Sequence, residues 1–167
     1  MTLDPSKPVI AYVHGIYADP TVERRRYLRL VIHPDTDDLV RAGNARNRKI
    51  GSRQDLAGSA GLFQPSRLRS RYDRHLRRWI DTTGPFAGIM RLARGYLTGE
   101  VITHESAHAA LHIWRMHDWA QTDGAGEVQL GDVCDETEEH FAHLLSGIAG
   151  TVNDIVLQYL EATKGEA

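Results

Sequence analysis

The spacing of apolar residues changes along this chain, and that change restricts the fold more than any other feature. In Tyr27–Pro34, YLRLVIHP, residues Leu28, Leu30 and Ile32 fall on one side and Arg29, Val31 and His33 on the other. A period of two is that of a half-buried strand, and Pro34 ends it. PVIAYV (8–13) is apolar and β-prone, so it predicts a first strand. SAGLFQPS (59–66) predicts a brief one stopped by its proline, and FAGIMRLARG (86–95) another of mixed pattern. Past about Thr98 the interval becomes helical. One helix is expected over 98–117. A longer one is expected over 135–160, where Phe141, Leu144, Leu145, Ile148, Val152, Ile155, Val156 and Tyr159 repeat, with a bend near Gly147 and Gly150. Strands early and helices late predict an α+β domain over residues 1–167, with a strand-containing half at 1–97 and a helical half at 98–167.

Two segments of the first half interrupt the strand pattern. TDDLVRAGNARNRK (36–49) predicts a short helix with Thr36 as N-cap and Asp37 and Asp38 in its first turn; Gly43 and Gly51 weaken its far end. SRLRSRYDRHLRRWID (66–81) places Leu68, Tyr72, Leu76, Trp79 and Ile80 at helical spacing. Arg67, Arg69, Arg71, Arg74, Arg77 and Arg78 take the other faces. The helix expected there has a buried apolar stripe and a solvated basic face, or else a face that meets nucleic-acid phosphates.

Charge is divided the same way. Residues 1–99 hold 18 Lys and Arg against 9 Asp and Glu, whereas residues 100–167 hold 2 against 13. The halves can neutralise each other by packing, or the basic one can meet a nucleic acid. No apolar run approaches the ~20 residues a membrane span needs. The start, MTLDPSKPVIAYV, lacks the basic and apolar regions of an export signal. Cys134 is alone, so no internal disulfide can form, and it reads as a small buried thiol. A cytoplasmic protein without a membrane partner is expected.

The segment VITHESAHAALHIW, Val101–Trp114, carries the chemistry. On a helix, residues four apart lie on one face, so His104 and His108 can present imidazole nitrogens to one zinc ion. Glu105, beside the first histidine, points toward the space next to the metal. There it can act as general base on a zinc-activated water. His112 continues the row, but three successive turns cannot easily converge on one tetrahedral ion, so it is expected to flank the site.

HESAH resembles the signature of the zincin metallopeptidases, and its flanks fit the stricter form: Val101, Ile102, Thr103, Ser106, Ala107 and Ala109 are all uncharged. The metzincin branch would need glycine at 111 and histidine at 114, where this chain has Leu111 and Trp114. The resemblance is therefore to the gluzincin branch, and is similar to the compact ImmA/IrrE-like proteases and to peptidases with Glu-x-x-Ala-Asp. It implies a small zincin-like fold: a short, mostly antiparallel sheet, the HExxH helix, and a long C-terminal helix carrying the third ligand.

In Glu139-His140-Phe141-Ala142-His143 the resemblance makes Glu139 that ligand, with histidine where the family has aspartate. Glu138 is the rival, although Asp135 and Glu138 have the spacing of a capping box. Ala142, Ser146 and Ala149 share the face of Glu139 and would let the two helices approach closely. His117, His140, His143 and Tyr96 are candidate donors to an oxyanion. The strand ahead of the metal helix, FAGIMRLARG, would form the cleft edge that holds extended substrate. The implied activity is zinc-dependent hydrolysis of a protein or peptide. The alternative is an arginine-rich nucleic-acid-binding regulator, acting through a Arg67–Arg78 helix, with a structural or inactive zinc site.

Overall fold

The computed structural model describes residues 4, 6–16, 25–52, 56–121 and 135–164, without the side chains of 118–121 and 135–138. Among the described residues, six strands, three α-helices and a 3₁₀ turn (Arg94–Tyr96) follow one another as β1 (Val9–Ile16), β2 (Arg26–His33), α1 (Thr36–Ile50), β3 (Gly61–Pro65), β4 (Ser70–Asp73), β5 (Arg78–Asp81), β6 (Phe86–Ala93), α2 (Gly99–Gln121) and α3 (Asp135–Lys164). The main sheet has the order β1-β2-β6-β3. β2 and β6 run parallel, whereas β1–β2, β3–β6 and the separate hairpin β4–β5 are antiparallel. The architecture is α+β with short, mostly antiparallel sheets.

The alternation in β2 builds both faces of that sheet. Leu28, Leu30 and Ile32 join Val13, Met90 and Leu92 in a core closed by Ile102, Ala109 and Ile113 of α2 and Leu144, Ile148 and Val152 of α3. Val31 and His33, on the opposite side, are buried too. α1 covers that side, where Leu39 packs with Leu56, Leu62 and Ala93. The second half of β2 is therefore buried on both faces rather than on one.

α1 begins one residue earlier than its expected cap. Asp35 is the N-cap, its carboxylate accepting from the Asp38 N–H, and Thr36 is the first helical residue. The helix passes through Gly43, where a Cβ would stand 2.7 Å from Leu56 and 2.9 Å from Leu62. That glycine lets α1 sit close to the sheet. Gly51 ends the helix with φ +73°, the left-handed conformation that glycine adopts at least cost.

Residues 66–81 are not a helix. Tyr72 and Trp79 are seven apart, which places them on one helical face but equally opposite each other across a hairpin with a four-residue turn. The hairpin is what forms: Tyr72 pairs with Trp79 in register, their rings edge to face at 5.7 Å. Asp73 accepts from the N–H groups of His75 and Leu76, and Arg77 adopts φ +50°, which closes the turn. Leu76 and Trp79 are exposed, so the expected buried stripe and the Arg67–Arg78 helical face are both absent.

α3 runs through Gly147 and Gly150 without interruption. Its buried stripe is Leu144, Ile148, Val152, Val156 and Tyr159. Each such aliphatic side chain contributes about 2 kcal/mol on burial. Ala142 and Ser146, on the face of Glu139, are exposed. The small-residue face was expected to meet α2, but the larger apolar side chains win that contact.

Candidate metal and hydrolase site

Thr98 opens α2: its hydroxyl and carbonyl accept from the N–H groups of Val101 and Ile102. The buried face of the helix, Ile102, Ser106, Ala109, Ala110 and Ile113, fixes its rotation against the core. That rotation leaves His104 and His108 exposed and turns Glu105 inward. The two imidazoles converge as the spacing predicts, with their Nε2 atoms 3.2 Å apart and their rings edge to face. Two nitrogens on a tetrahedral zinc ion at 2.0–2.1 Å would be separated by about 3.3 Å. The pair therefore fits two corners of such a site.

Glu105 is only 6% exposed. Burial pushes its carboxyl above the usual carboxylate range, opposed in part by His104, His108 and the backbone N–H of Phe63. Phe63 and Gly61 belong to β3, which lies against α2. A Cβ at Gly61 would stand 2.7 Å from Val101, 2.8 Å from Glu105 Cγ and 3.0 Å from its Oε1. Only glycine allows the strand to approach this closely. His104, Glu105 and His108 line a cleft of about 560 Å³ with Gly61, Phe63 and His112, and Arg115 also borders it.

The strand at this cleft is not the one expected. FAGIMRLARG supplies β6, which is paired on both sides, with β2 and with β3, and has no free edge. β3 is the edge strand. Its short sequence, broken by Pro65, carries the signal of an edge. Nothing in the linear sequence ties Gly61 and Phe63 to a glutamate more than forty positions away.

His112 flanks the pair and is partly buried, with Nε2 3.3 Å from the Ser66 hydroxyl. Burial, then the Arg115 and Arg26 charges, push its pKa down to about 4, so its ring is neutral at pH 7. None of Tyr96, His117, His140 and His143 borders this cleft. His140 and His143 line a different one, of about 370 Å³, with His14. The side-chain donors His112 and Arg115, which do border this cleft, follow His108 at the fourth and seventh positions, which is their only sequence signal.

Glu139 is exposed at the start of α3, its Oε1 3.1 Å from His143 Nε2. Among the described residues, no third His, Cys, Asp or Glu is assembled with His104 and His108 to hold a metal. The side chains of Asp135 and Glu138, and Cys134, lie outside the described residues. Among the described residues no helix is long and apolar enough to cross a membrane. No family model, curated protein or solved structure matches the chain.

Proposed function

We propose that this chain is a zinc-dependent metallopeptidase in which His104 and His108 hold the metal and Glu105 is the general base. The observation that carries the reading is the convergence of two exposed imidazole nitrogens, 3.2 Å apart, above a buried carboxylate in one cleft. A structural pair of histidines has no need of a glutamate desolvated at its side; a hydrolytic site does.

Bound at these imidazoles, zinc would supply a Lewis acid that polarises the scissile carbonyl and acidifies water. The chain's own residues do the rest. Glu105, oriented by the Phe63 N–H, takes a proton from the attacking water and passes it to the leaving amine. Its raised pKa suits both steps, because the protonated carboxyl must persist long enough to give the proton away. β3, the sheet edge beside α2, is positioned to hold an extended peptide by main-chain hydrogen bonds. His112 and Arg115 are the donors nearest in sequence that border the cleft, and either can meet a developing oxyanion. Glu139 is the proposed third ligand, exchanging its contact with His143 for the cation, with Glu138 as its rival.

The test is cleavage of a peptide library, read by mass spectrometry, by zinc-loaded wild type and Glu105→Gln. The variant keeps the metal and loses hydrolysis by a factor of 10² to 10⁴. A variant as active as wild type would sink the assignment of Glu105.

A further inference from the structure

The sheet face opposite the zinc-site helices carries an arrangement that the hydrolytic reading does not use. Arg29 of β2, Arg91 of β6 and Arg46 of α1 lie near enough for their charges to depress one another's pKa, beyond the effect of burial: Arg29 and Arg46 on Arg91, and Arg29 on Arg46. Such a cluster is costly without an anion.

Arg91 is partly compensated. Its Nε donates to Gln64 Oε1 at 3.0 Å and its Nη1 to His33 Nε2 at 3.1 Å. A guanidinium only donates, so His33 Nε2 is the acceptor and the proton of its neutral ring sits on Nδ1, 2.7 Å from Asp38 Oδ2. Arg46 has one such contact, its Nη2 donating to the Pro65 carbonyl at 3.1 Å, but among the described residues neither Arg29 nor Arg46 has a side-chain acceptor like those of Arg91. The Nε atom of each is buried without a hydrogen-bond partner, and among the described residues no carboxylate pairs with either.

Aromatic rings continue the patch across the strands. The Arg29 guanidinium lies 5.7 Å from the Tyr12 ring centroid. Tyr12 and His14 approach Tyr27 at 6.4 and 5.6 Å, and Tyr27 approaches Phe86 at 5.4 Å. Tyr12 is 46% exposed. Phe86 then lines a cleft of about 440 Å³ bounded by Arg46, Lys49, Arg67, Thr82 and Thr83, with no Asp or Glu among the described residues of its wall. Among the described residues, the row therefore joins π-faces to cationic groups without an intervening acid.

We propose that this face, from the Arg46–Lys49–Arg67 cleft along Phe86, Tyr27 and Tyr12, binds a short run of single-stranded nucleic acid. Phosphates would pair with the partly exposed guanidiniums of Arg46 and Arg29, and bases would stack on the rings. An acidic peptide would satisfy the guanidiniums but leave the aromatic row without a role, which is why the observations favour the nucleic acid.

The experiment is fluorescence anisotropy with labelled eight-nucleotide oligo(dT) and oligo(U), in 50 to 200 mM salt, with polyglutamate as competitor. Binding tighter than about 100 μM is expected at 50 mM salt. Arg46→Ala should flatten the salt dependence, the slope of log K against log salt falling by about 0.7. Tyr12→Ala should weaken binding roughly tenfold. Its ring is nearly half exposed, so this variant keeps the test decisive if Arg46→Ala does not fold. A preference between the two oligonucleotides reflects the sugar and the thymine methyl together, and either preference supports the proposal. No binding of either one overturns it. So does polyglutamate competing equally well with no effect of Tyr12→Ala, since that outcome marks a general anion site.

Discussion

At the scale of single residues, the site rests on one pattern that is local and one that is not. His104, Glu105 and His108 are legible in the sequence because a helix brings i and i+4 together whatever else the chain does. Gly61 and the Phe63 N–H are not legible, since their meeting with Glu105 depends on how β3 pairs with β6 and how α2 lies across both. The same limit hides the Arg29–Arg46–Arg91 cluster, assembled from three elements. Gly61 gives the sharpest residue-scale prediction. Gly61→Ala must move β3 or Glu105, because its Cβ would be 2.8 Å from Glu105 Cγ. Overpacking of this kind costs about 1–3 kcal/mol of stability. With Glu105 as the proposed base, a displacement near 1 Å costs activity on the order of 10²-fold. Peptide turnover together with a urea melt reads both effects; turnover equal to wild type would show that the close approach of β3 is not required.

At the scale of elements, β1, β2, β3, β6 and all three helices stand close to where apolar spacing predicts them. Long amphipathic runs and Pro-stopped strands are robust signals. The failure at 66–81 has a physical cause: a seven-residue separation is in phase both with a helix face and with an antiparallel pair around a four-residue turn. Asp73 and Arg77 decide between them through turn chemistry, not through apolar spacing. The choice of cap on α1 is similar, because Asp35 and Thr36 are both good capping residues. Since the Asp35 carboxylate accepts from Asp38 N–H at 2.7 Å, Asp35→Ala should lower stability by about 1 kcal/mol. Thr36→Ala should change it by less than about half that. Chemical denaturation of the two variants side by side checks this, and a larger loss from Thr36→Ala would move the cap back to the residue first expected.

At the scale of the whole molecule, the division of charge is real in the sequence, yet it does not reduce to one basic face. Arginines point into a polar layer under α1, into the hairpin and into the cleft at Phe86. Two histidines set the pH response, His33 in that polar layer and His112 beside the cleft on α2. His33 is buried, and desolvation pushes its pKa down, against the opposing pull of Asp38; His112 is pushed down to about 4. Both are neutral in the folded chain at pH 7, whereas unfolded histidine titrates near 6.5. Below that pH the unfolded chain binds more protons, so stability is intact above about 6.5 and falls as pH drops toward the folded values. For His112 the loss approaches about 1.4 kcal/mol per pH unit between its unfolded and folded values, and His33 adds to it in the same direction. Thermal melts from pH 7 to pH 5 should show a steady fall, made shallower by His112→Gln. A flat profile over that range would mean that neither ring is held below the unfolded pKa in the folded state.

The central claim is that His104 and His108 share a cation, and the most direct measurement is the zinc content of the purified chain after exhaustive dialysis against metal-free buffer. The account predicts about one zinc ion per wild-type chain, with retention lost in His104→Ala and in His108→Ala while both variants remain folded. Wild-type protein that retains no zinc, or a His108→Ala variant that retains as much as wild type, would contradict it.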